Sequence, residues 1–75
     1  MNSHVFSQHN DQAQMEAIKL EIAATFAKIE NLKAEMAAWY AEGRMQRFPR
    51  YQELATLEDS LSRLDTAFKS LWDKQ

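Results

Sequence analysis

The chain has 75 residues, so it holds at most one domain. It has one Gly, one Pro and no Cys, which excludes a disulfide framework and a thiolate metal site. Its formal net charge of −2 argues against general electrostatic binding to nucleic acid.

Residues 1–10 are polar and aperiodic apart from Val5 and Phe6, and read as a flexible tail. Helical patterning starts at Asp11, a candidate cap with Gln14 three residues on. Met15, Ile18, Ile22, Thr25, Ile29, Leu32, Met36 and Trp39 then alternate spacings of three and four. That is a heptad seam, with Met15, Ile22, Ile29 and Met36 at a and the others at d. It predicts a helix over 11–42. Gly43 suits the left-handed closing residue of that helix, and a turn is expected over 43–48. Pro49 suits the first position of a second helix, predicted over 49–73. Leu54, Leu61 and Phe68 take a there, and Leu57, Leu64 and Leu71 take d. Asp59–Arg63 and Asp65–Lys69 add i,i+4 support of ~0.2–0.5 kcal/mol each.

The second seam is four residues out of phase with the first, so one long helix with a stutter competes with a fold-back. Folding the chain about Met45–Gln46–Arg47 sets Trp39 against Leu54, Met36 against Leu57 and Leu32 against Leu61. Ile29 then meets Leu64, Thr25 meets Phe68 and Ile22 meets Leu71. Each layer joins an a to a d, and small Thr25 lies opposite large Phe68. On the flanks Lys33 meets Glu58, Lys19 meets Trp72, Tyr40 meets Tyr51 and Glu21 meets Lys74, with only Glu42 against Glu53 repulsive. The expected fold is therefore all-α: an antiparallel, coiled-coil-like two-helix hairpin over 11–75 whose first helix overhangs at its N-terminal end.

Such a seam leaves apolar residues over. Phe26, Tyr40, Tyr51 and Trp72 fall at e on one flank, Leu20 at f, and Met15 on the expected overhang. Aromatic anchors dominate interface energetics, so these six are the candidate partner-binding residues; wrapping of the hairpin's own seam is the plainer use for them. An alanine side on the first helix, including Ala23, Ala27, Ala34 and Ala41, would permit close approach by another helix, or simply reflects high helix propensity on an exposed face. Arg44, Arg47 and Arg50 stand among aromatics at the turn, a candidate contact for an anion or an acidic partner, or simply a solvated loop.

His4 and His9 have no companion ligand, and no Glu-x-x-His run supports a bundle metal site, so no metal or other cofactor is expected. The usual catalytic constellations are missing as well, so no enzymatic activity is expected. No segment approaches the roughly 20 apolar residues of a membrane span, and no signal peptide is visible. A cytoplasmic protein without membrane attachment is the expectation.

Gly43, Pro49, Tyr51-Gln52-x-Leu54 and Leu57-Glu58-x-x-Leu61-x-x-Leu64 resemble the small needle-protein co-chaperones of bacterial type III secretion systems. The likeness covers roughly residues 32–71. It implies a short helical hairpin whose flank contacts a larger helical-repeat chaperone and helps keep a needle subunit soluble in the cytoplasm. This chain departs from the pattern in a longer first helix and a longer gap between Gly43 and Pro49.

A core this small rarely supplies more than ~3–5 kcal/mol, so association is the remaining source of stability. The leading expectation is a non-catalytic adaptor or co-chaperone that presents its hairpin to a helical partner. The alternatives are a self-associating four-helix-bundle regulator whose Arg-rich turn binds RNA or an acidic protein, and a phage-type inhibitor that masks a host protein.

Overall fold

Heptad spacing sorts this chain into inward and outward positions, and the structure follows the sorting. A computed structural model describes the backbone of residues 3–73 and the side chains of residues 12–73. Helix α1 (Ser3–Ala41) and helix α2 (Tyr51–Asp73) form an antiparallel hairpin, a rod of 65 × 14 × 14 Å. On α1, Met15, Ile29 and Leu32 are buried, and Ile18, Ile22, Thr25, Met36 and Trp39 are half-buried. Every other described side chain of α1 is exposed. On α2, Leu54 is buried and Leu57, Leu61, Leu64, Phe68 and Leu71 are half-buried. The two seams are therefore the two faces that meet.

The helix limits differ from the expected ones. α1 begins at Ser3 rather than Asp11, so Asp11 lies inside the helix and does not cap it. No Gly or Pro precedes Gly43, and an existing helix gains one hydrogen bond for each residue it adds. α1 ends where Gly43 takes φ +82°. The Glu42 N–H donates to the Ala38 carbonyl at 3.1 Å and the Gly43 N–H to the Tyr40 carbonyl at 3.0 Å. α2 begins at Tyr51, two residues after the Pro49 expected to open it. Pro49 sits in the tight turn that precedes α2, closed by the Tyr51 N–H donating to the Phe48 carbonyl at 3.1 Å.

The pairing register also differs. With Met45–Gln46–Arg47 as the fold-back point, Arg50 would lie level with Gly43. Instead its guanidinium reaches Glu35 on the preceding turns of α1, at 2.9 Å. A groove between the helices is lined by Lys28, Asn31, Leu32 and Glu35 from one side and Arg50, Glu53 and Leu57 from the other. α2 has therefore slid about one heptad toward the N-terminal end of α1. The cause is the connection. The chain reverses at Gly43 and residues 44–50 run back along α1. That return path carries Arg50 from the level of Gly43 to that of Glu35, about 12 Å along the rod at about 1.5 Å per helical residue, so α2 starts further down. The segment is tied to α1 by the Trp39 indole N–H donating to the Gln46 carbonyl at 2.9 Å and the Phe48 N–H donating to the Tyr40 hydroxyl at 3.0 Å.

That path brings Phe48 into the core, where it is 5% exposed and clusters with Ile29, Leu32 and Leu54. Met36, Trp39, Leu57 and Leu61 pack around this cluster. Phe48 meets Trp39 edge to face, with ring centres 6.3 Å apart. A slide of seven residues keeps a against d, which is why both seams stay buried although their partners change.

The expected flank pairs are replaced. Lys33 pairs with Glu30 and Lys19 with Glu16 on their own helix, while Glu42 and Glu53 are held by Arg44 and Arg50. Lys74, expected to meet Glu21, lies outside the described residues. Asp59–Arg63 and Asp65–Lys69 do form, at 3.0 and 3.1 Å.

Phe48→Ala is expected to lower stability by about 3 kcal/mol, as for a buried aromatic, in urea unfolding followed by circular dichroism. An unchanged midpoint would mean that Phe48 is not core. Gly43→Ala should cost about 1 kcal/mol through left-handed backbone strain alone, because no atom lies within 4 Å of the position of an added Cβ.

Candidate partner-binding surface

A seven-residue spacing puts every e position on one flank, each step about 10.5 Å along the rod. On α1 these positions are Lys19, Phe26, Lys33 and Tyr40; on α2 they are Tyr51, Glu58, Asp65 and Trp72. The four aromatics among them are exposed, Trp72 by 62%. Leu20, at f, is 72% exposed. An apolar side chain left in water forfeits about 1.5–3 kcal/mol that burial would bring. These five residues are therefore the ones that contact with another surface would stabilise.

Met15 belongs elsewhere. It is 7% exposed and faces the seam, not an overhang. The register slide is the cause, since it brings the end of α2 around Leu71 level with Met15. The stretch of α1 that extends past α2 begins further toward the N-terminus.

The aromatics have unequal duties. The Tyr40 hydroxyl accepts the Phe48 N–H and so anchors the connection. Tyr51 carries the Arg47 guanidinium over its ring, 5.0 Å from the centre. Trp72 stacks on Phe68 with ring centres 6.3 Å apart and planes inclined by 24°. Phe26 stands between Lys19 and Lys33 in its stripe.

Each arginine of the turn is engaged within the chain. Arg44 lies over the Trp39 ring at 4.4 Å and pairs with Glu42 at 3.0 Å. Arg50 donates through Nε and Nη2 to the two Glu53 oxygens at 3.0 Å, and through Nη1 to both Glu35 oxygens at 2.9 Å. Those hydrogen bonds, Glu53's first, hold the guanidinium proton more tightly than usual. The Arg50 hydrogen bond, then its charge and that of Lys28, hold the Glu53 carboxyl below the ordinary carboxylate range. Arg50–Glu35 is the one ion pair among the described residues that ties the chain beyond Gly43 to α1.

Sequence reasoning missed two residues here. Met45, at the outermost point of the turn, is 97% exposed; a lone loop methionine has no periodicity to reveal it. Glu35 lies at a g position like several other charges, and only the fold brings Arg50 to it. The groove over this pair has a volume of about 320 Å³ and mixes Lys28, Glu35, Arg50 and Glu53 with Leu32 and Leu57. Among the described residues no group of three His, Asp or Glu side chains is placed to share a metal ion. The side chains of His4 and His9 lie outside those residues. No described helix is long and apolar enough to cross a membrane. Compared with protein-family models, with curated proteins and with solved structures, the chain matches none.

The Glu53 carboxyl binds its proton less readily folded than unfolded. Its pair with Arg50 therefore stabilises the fold above the unfolded pKa of Glu53, and that contribution is lost as pH falls through the lowered folded value. Thermal midpoints measured against pH should show this loss in the wild type. The curve of Arg50→Met should be flatter and should converge on it in acid.

Proposed function

We propose that this chain is a non-catalytic protein-binding hairpin that docks its e flank on the helices of another polypeptide, in the cytoplasm. The observation that carries the reading is the row of exposed Phe26, Tyr40, Tyr51 and Trp72 on a fold with a single thin seam. Rigid aromatic side chains on straight helices lose little conformational freedom when they bind, which suits them as anchors. Leu20 and the Met45 tip would widen the contact at its margins.

One form of such an adaptor is a co-chaperone like those of type III secretion needle proteins. Gly43, Pro49 and Tyr51, which carry that resemblance, each serve the turn of this hairpin, so what they support is the hairpin build. Binding of RNA or an acidic protein through Arg44, Arg47 and Arg50 draws less support, because the three already face Trp39, Tyr51, Glu35, Glu42 and Glu53.

A photo-reactive benzoylphenylalanine placed at Phe26 and expressed in the native host should give a discrete protein adduct. The same group at Thr56, exposed on the far side of α2, should give none. Equal yields at both positions, or no adduct at either, would remove the flank as a docking surface.

A further inference from the structure

The e flank is divided lengthwise by charge. The α1 stripe alternates base with aromatic (Lys19, Phe26, Lys33, Tyr40), while the α2 stripe sets two acids between two aromatics (Tyr51, Glu58, Asp65, Trp72). None of the four charges is spent across the hairpin. Lys19 and Lys33 turn to Glu16 and Glu30, Asp65 turns to Lys69, and Glu58 makes no ion pair among the described residues. A basic stripe beside an acidic one is complemented by the same pair of stripes rotated by half a turn. From this self-complementarity we infer that the occupant of the flank is a second copy of this chain. The inference rests on the docking role proposed above and names its partner.

A twofold axis along the rod places α1 of one copy over α2 of the other, antiparallel, with both turns at the same end. The levels then agree without adjustment. Arg50 and Glu35 are level through their ion pair. Counting outward at equal helical rise puts Asp65 level with Leu20, next to Lys19, and Tyr51 level with Ala34, next to Lys33. Lys19 thus meets Asp65 of the second copy. Lys33 lies over the second copy's Tyr51 ring, and Phe26 comes level with its Glu58. The opposite flank has no such match. Its α1 positions carry Glu21, Lys28, Glu35 and Glu42, its α2 positions begin Glu53, Ser60, Ala67, and it holds no aromatic.

The size is sufficient. The helices lie side by side over the 23 residues of α2, a face about 34 Å long, and the rod is 14 Å wide. That is about 480 Å² per copy and about 1,000 Å² in all, the threshold size of a specific interface. The isologous pair closes on itself and leaves no face to propagate.

The test uses the purified full chain. Sedimentation equilibrium over micromolar concentrations should return twice the 8.8 kDa chain mass. The double variant Lys19→Glu, Lys33→Glu makes both stripes acidic, and Glu58→Lys, Asp65→Lys makes both basic. Each alone should weaken dimerisation about tenfold or more, because like charges then face each other. All four positions are exposed, and circular dichroism on each variant checks that the hairpin persists. Mixing the two variants should restore a dimer that contains one copy of each. A folded wild-type monomer would overturn the inference, and so would a dimer indifferent to both variants. In either case a Phe26 adduct with a different protein would leave the docking role standing, whereas absence of any adduct would remove that as well.

Discussion

A two-helix hairpin has one seam and no second layer behind it, so its stability depends on how that seam is closed where the chain turns. In this protein the closure is made by Phe48. The reversal at Gly43 sends the connecting segment back along α1, and the aromatic ring it carries fills the space between Trp39, Ile29, Leu32 and Leu54. Without that ring the upper layers of the seam would open to water at the point where α2 begins. The Tyr40 hydroxyl and the Trp39 indole hold the segment in place by bonding its backbone. The register of the two helices follows from this path.

The turn arginines belong to the same construction. Arg44 covers Trp39, and Arg47 covers Tyr51. Arg50 joins the first turn of α2 to the side of α1 through Glu53 and Glu35. A cation near the N-terminus of a helix opposes the helix dipole, and the two carboxylates around Arg50 offset that opposition. Their exposure keeps each contact modest in water. Their main effect is to select one level of pairing among several that would bury the seams equally well.

What remains outside the seam is a flank where aromatics are interspersed with charges. Isolated exposed apolar residues are ordinary on a protein surface. Their recurrence at multiples of seven residues on both helices, on a fold of this thinness, is what sets this flank apart. In the proposed docking role, the division of charge between its two stripes would give that face a preferred orientation. The proposed role would also connect function to stability, since a core this small would gain from a partner that covers it.

The seam residues, the helical class, the fold-back at the Gly43–Pro49 region and the exposed aromatic flank were all legible from residue spacing. Those are local properties: periodicity decides which side of a helix a residue occupies, and Gly and Pro decide where a helix stops. The register was not legible, and neither was anything that depends on it. A slide of seven residues pairs a with d as well as before, so the repeat cannot distinguish one heptad from the next. The choice was made by the non-helical connection, whose length along the rod is not periodic, and by Phe48 and Arg50, which lie outside the seam pattern. Hence Met15 passed from supposed overhang to core, and Glu35 became a cross-helix partner only in the tertiary structure.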